Sequence, residues 1–249
     1  MALSCVFIGA IVMFFAGYQL AIYQEANGDT LLPHFDVNPS GSNCNGADLC
    51  CGENGGGGAG DMCDIAAKPV IYLYPTHTER VNIKLHYPAG FSTTVPTYNT
   101  QLGWNVVAQP DGTLTNAANG MTYPYLFWEG NPASLKFDMT QGFVVPGNQT
   151  VAFLSKELPA MGLNSNETSA FIAYWAPRLQ PNKYTLIHFA GTDYTNVAKL
   201  TITPRPDSLL RVFMVEEPLN SPVAVTPQSF PSFHRSGFTA VEWGGMALK

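Results

Sequence analysis

The 249-residue chain predicts an α+β fold: an antiparallel β-sheet or sandwich domain with an inserted helical pair, preceded by an apolar N-terminal α-helix. Three observations predict it. Residues 1–24 contain no Lys, Arg, Asp or Glu. From position 68 onward, short runs rich in β-branched and aromatic residues recur between Gly, Pro and Asn clusters, which is the pattern of strands and turns. Between those runs, the stretches around 151–161 and 164–177 change to helical spacing.

Residues 1–26 form an apolar run of about 25 residues, long enough to cross a bilayer as a helix. A helix apolar on every side must be buried in lipid or in other protein. Cys5, Gly9, Met13, Gly17 and Ala21 fall on one stripe of it; such small-residue stripes let helices approach closely. A secretory signal begins with a positive region, and the first Lys or Arg here is Lys68, so the run is expected to be retained rather than cleaved. The layout resembles that of type IV pilins and archaeal flagellins, although pilins usually carry Glu at the fifth position and this chain has Cys5.

Residues 27–67 read as a Gly- and Asn-rich connector, in which 30–37 could lie extended against a neighbouring sheet edge or serve as a solvated tether. It holds Cys44, Cys50, Cys51 and Cys63. A bond between adjacent Cys50 and Cys51 would be strained. Two pairings remain: Cys44–Cys50 with Cys51–Cys63, or Cys44–Cys51 with Cys50–Cys63. Disulfides are expected over a zinc site because the spacing lacks paired C-x2-C knuckles. Asp48, Glu53, Asp61 and Asp64 crowd the same loop as candidate Ca²⁺ ligands, but their order matches no EF-hand.

The globular domain, residues 68–249, begins with a buried strand at 68–75. Residues 80–87 alternate, with Val81, Ile83, Leu85 and Tyr87 on one face. Pro110-Asp111-Gly112 marks a hairpin turn. Further strands are predicted at 123–128, 184–189, 198–203, 209–215 and 238–243, with 209–215 central because only Arg211 in it is polar. Val151, Leu154, Leu158 and Met161 give the first helix, bent or ended by Pro159. Asn164 and Glu167 form the signature of a capping box opening the second helix, which Pro177 should end.

A net charge of −6, with no basic cluster, excludes a nucleic-acid surface. No cofactor motif is present, and His34, His77, His86, His188 and His234 show no metal-ligand spacing. Glu129 and Glu242 each stand beside a Trp and before a Gly. They are the candidate acid and base of a glycosidase if they share a cleft, and otherwise carboxylates at strand ends. Asn148 and Asn166 open N-glycosylation sequons. An intact mass equal to the bare polypeptide would remove that expectation.

The segments KPVIYLYP at 68–75, GWNVVAQPDGTLTN at 103–116, YPYLFWEG at 123–130, FIAYWAPRL at 171–179, PDSLLRVFMV at 206–215 and GFTAVEWGG at 237–245 resemble a family of uncharacterised, mostly bacterial exported proteins. Thr76 stands where the resemblance implies an acidic residue. The family carries over no catalytic residue. The expected role is therefore structural and extracellular, at the cell surface: a subunit of a helical filament whose partners are copies of itself, with the membrane a station before assembly. The alternatives are a membrane-anchored exodomain that binds carbohydrate or protein, and a secreted hydrolase using Glu129 and Glu242.

Overall fold

A computed structural model describes residues 67–131 and 135–248. The expected N-terminal helix with its small-residue stripe, the connector, the four clustered cysteines, the acidic loop and His34 lie outside the described residues.

Twelve strands and three α-helices occur among the described residues. The order is β1 (Ala67–Tyr74), β2 (Glu79–His86), β3 (Phe91–Val95), β4 (Trp104–Ala108), β5 (Leu114–Asn116), β6 (Thr122–Tyr123), β7 (Leu126–Gly130), β8 (Phe143–Pro146), α1 (Thr150–Met161), α2 (Ser165–Leu179), β9 (Tyr184–Phe189), α3 (Gly191–Val197), β10 (Lys199–Thr203), β11 (Ser208–Leu219) and β12 (Thr239–Ala247). They form a seven-stranded sheet, β3-β7-β1-β12-β11-β9-β8, and a five-stranded sheet, β10-β2-β4-β5-β6. The class is α+β, as the strand-rich pattern with two helical stretches predicts.

The two sheets enclose the main core. Ile71, Leu73, Phe213, Val215 and Ala240 from the larger sheet meet Val81, Ile83, Leu85, Trp104 and Leu114 from the smaller. This follows from period two: in β2 the alternating apolar residues are buried while Arg80, Lys84 and His86 stay exposed. The outer face of the seven-stranded sheet is roofed in part by α1 and α2. Phe171 of α2 lies 5.2 Å from Trp243, ring to ring, and Phe153 of α1 lies 5.1 Å from Phe143. Gly245 is glycine for this packing, since an added Cβ would stand 2.6 Å from the Trp175 ring and press on the Met214 carbonyl.

Several boundaries differ from expectation. The predicted 123–128 strand divides at Pro124, with β6 pairing β5 in one sheet and β7 pairing β1 in the other. A proline has no N–H for a ladder, so the chain changes sheets there. The 209–215 strand is central as expected, but β11 continues to Leu219 alongside β9. It also runs parallel to β12, the crossover passing through 220–238. Pro177 does not end its helix: α2 reaches Leu179. The missing N–H costs one hydrogen bond while the ring holds a helical φ. Pro159 likewise lies inside α1, which stops at the left-handed Gly162. Val151 is 40% exposed, so α1 turns Leu154, Leu158 and Met161 inward without it. β3, β8 and α3 had no predicted counterpart; each is short and lacks a full period of apolar residues.

Candidate functional site

Glu129 and Glu242 lie on opposite faces of the seven-stranded sheet. Glu242, 1% exposed, points between the sheets. Its Oε1 accepts the indole N–H of Trp128 at 3.2 Å, and its Oε2 accepts Nε–H of Arg211 at 2.6 Å. Arg211 also donates to the Ala198 carbonyl at 2.7 Å, and its guanidinium stands 4.8 Å from the Tyr194 ring centre. Tyr194 in turn stacks on Phe213 at 3.9 Å. Burial, then the nearby Glu242 charge, raises the Tyr194 phenol well above its ordinary pKa. Because Trp128 faces inward, its neighbour Glu129 faces outward. The geometry therefore gives no acid–base pair from these two residues: a substrate on one side of the sheet reaches only one of them.

Glu129 instead shares the outer face with a cationic cluster. Lys68 Nζ stands 4.8 Å from the Tyr174 ring centre, and the Arg178 guanidinium stands 3.7 Å from it. Arg178 also donates to the Tyr174 carbonyl. Lys68 sits where the β1–β12 register shifts, and it is the non-glycine residue with positive φ (47°) among the described residues. A bulge of this kind re-aims a side chain, here onto α2. Burial, with Arg178 adding to it, lowers the Lys68 ammonium to about 8, while Glu129 opposes the shift. Burial raises the Glu129 carboxyl, and Lys68 opposes that. Tyr125, just before β7, and Phe127 of β7 are half-buried on the same face, with Tyr125 against Tyr72 at 5.4 Å.

A second feature is an apolar groove of about 620 Å³ beside β8, lined by Phe143, Val145, Phe153, Val223 and Val225, with Ala152 and Lys156 on its wall. β8 is the edge of the sheet. The Gly142 amide donates away from β9, to the Thr226 carbonyl at 2.9 Å. By the same alternation, the Val144 N–H and C=O point away from β9, beyond the parallel bridge that Thr226 makes to Gln141 at the start of this edge. Pro146 ends the strand without a donor.

Asn148 and Asn166 are both exposed, at the turn before α1 and in the first turn of α2. His77, His86 and His234 are exposed and separate, while buried His188 is held by the Gln141 carbonyl at 2.9 Å. Among the described residues, no three His, Cys, Asp or Glu side chains gather as metal ligands, and no helix is long and apolar enough to cross a membrane. Sequence reading missed Lys68, Tyr174 and Arg178 as a group. The i, i+4 spacing of Tyr174 and Arg178 was visible; the bulge that brings Lys68 to them was not.

No family model matches the chain. No solved structure matches it. A protein of Butyrivibrio fibrisolvens, described as "Uncharacterized protein in bglA 3'region", is 43% identical over 65 residues. The match takes in 26% of this chain and 66% of that protein, so the chain spans just under two thirds of this relative's length.

Proposed function

We propose that the chain is a structural subunit of an extracellular, cell-surface filament, and that its β-domain receives an extended segment of a second copy along β8. The observation that carries this reading is the apolar groove beside an edge strand whose Val144 N–H and C=O face outward. Strand addition uses such an edge for main-chain hydrogen bonds and the adjoining pockets for alternate side chains. The charge-free sequence of residues 1–24 supports the same reading, because small residues recurring at helical spacing in an apolar run suit close packing against copies of itself. Head-to-tail contacts whose rotation does not close propagate as open helical assemblies. The hydrolase reading loses its support with the separation of Glu129 from Glu242.

Electron microscopy of native material prepared without detergent tests the proposal, alongside Val144→Pro and Ala152→Arg. Val144→Pro removes an outward donor and leaves the ladder to β9 intact; Ala152→Arg fills the groove from an exposed position. Wild-type filaments, with both variants folded but unassembled, are the expected result. Dispersed wild-type particles would overturn the filament, and filaments from both variants would overturn the role of β8.

A further inference from the structure

We propose that the outer face of the five-stranded sheet is the docking surface for the acidic connector, residues 27–67, of the same chain. Alternation builds this face. With Val81, Ile83 and Leu85 of β2 turned into the core, Arg80, Lys84 and His86 point outward and are exposed. The register of β2 with β10 sets Thr201 opposite Lys84 and Lys199 opposite His86, and both are exposed. On the other side, β4 adds Asn105 opposite Asn82 and Val107 opposite Arg80. The outward positions of the five strands hold Arg, Lys, His, Asn, Thr and Val, and no Asp or Glu. The ion pairs among the described residues are Lys156–Glu157, Arg211–Glu242 and Arg235–Glu167. None of them involves Arg80, Lys84 or Lys199, and Lys199 donates only to the neutral Asn196 side chain, at 3.5 Å. No stretch of the sequence is basic; the fold gathers these charges from β2 and β10 onto one surface.

Charge selects the occupant. All 12 Lys and Arg lie from Lys68 onward, whereas the connector carries Asp29, Asp36, Asp48, Glu53, Asp61 and Asp64 and no Lys or Arg. One chain thus holds a purely acidic segment and an acid-free cationic face, and complementarity of this kind steers contact and fixes register. The connector leads into Ala67, the first residue of β1. A chain spans at most about 3.3–3.6 Å per residue, and packed sheets stand about 10 Å apart. A connector of this length therefore suffices to pass around the sandwich. Tethering presents it to its own domain at an effective concentration on the order of mM. Exposed charge pairs, individually weak, can hold a tethered segment where a free peptide would leave. This docking lies apart from the β8 edge and requires no second copy.

Carbodiimide coupling of the full chain tests this, because the reagent joins a carboxylate to an amine only where the two touch. Equal amounts of ¹⁴N- and ¹⁵N-labelled protein are mixed, coupled and mapped by mass spectrometry. Connector acids should be found joined to Lys84 and Lys199 several-fold more often than to Lys136 and Lys183, which are equally exposed. Each linked pair should carry a single label. The yield should fall several-fold between about 0.01 M and about 1 M salt, as the Debye length shrinks from about 30 to about 3 Å. Arg80→Glu, an exposed change that leaves both reporter lysines in place, should lower the yield about threefold or more. Links spread evenly over the four lysines, or an unchanged yield in Arg80→Glu, would overturn the docking surface. Mixed-label links would overturn the assignment to the same chain and give the face to the connector of a second copy.

Discussion

Glu216 shows how one position can be misread along the chain. Read in sequence, the Glu216-Glu217 pair looks like the polar end of a strand. In the fold, β11 continues past it between β9 and β12, so Glu216 is only 6% exposed and its Oε2 has no hydrogen-bond partner. Burial raises its carboxyl from 4.5 to about 7. A raised folded-state pKa means that the folded protein binds the proton more tightly than the unfolded chain. The associated stability is therefore full below about pH 4.5 and is lost as pH rises through about 7. Glu216→Gln should stabilise the protein at pH 8 by on the order of 1–3 kcal/mol and have little effect at pH 4. Urea unfolding at the two pH values checks this; an equal effect at both would show that the Glu216 proton is not responsible.

The second helix was the most legible element, for a physical reason. A capping box is local: Asn164 accepts the Glu167 amide at 2.9 Å, and Glu167 accepts the Asn164 amide at 2.8 Å. Both partners lie within four residues, so the signature survives in sequence. What the sequence did not disclose is the second task of Glu167. Its carboxylate also binds Arg235, which donates to the Gly162 carbonyl at 2.9 Å as well. One buried carboxylate thus starts α2 and ties the crossover before β12 to the turn between α1 and α2. Asn164→Ala should cost about 1 kcal/mol, the usual loss of an N-cap. Arg235→Met should cost more, because it leaves Glu167 buried without its counterion. Equilibrium unfolding that ranks the two variants in the opposite order would reject this account.

At the scale of the molecule, the polar group between the sheets has the widest reach. Trp128 of β7, Glu242 of β12, Arg211 of β11 and the Ala198 carbonyl before β10 meet at one buried point. Residues from distant parts of the chain are therefore held in register across the sandwich. Removing one partner of a buried ion pair typically costs about 3–5 kcal/mol, since the other charge is left unpaired. Arg211→Met should fall in that range by chemical denaturation. Arg211→Met combined with Glu242→Leu should recover part of the loss, and a double variant no more stable than the single would show that the cost lies in packing.

The residues fixed, without help from the fold, whatever depends on near neighbours. Period two marked β2 and its buried face, the Pro-Asp-Gly turn placed the β4–β5 hairpin, with Gly112 donating to the Gln109 carbonyl at 2.9 Å, and the capping box opened α2. These signals are local because strand alternation, turn conformation and helix capping are set by residues a few positions apart. The tertiary structure alone decided that β11 and β12 lie parallel, that Pro124 sends β6 and β7 to different sheets, and that Glu129 and Glu242 face opposite ways. It also brought Lys68 to Tyr174 and Arg178 across more than a hundred positions. Side-chain contact between distant segments is set by sheet order and by which face each strand turns inward, and neither is written in any one stretch of sequence.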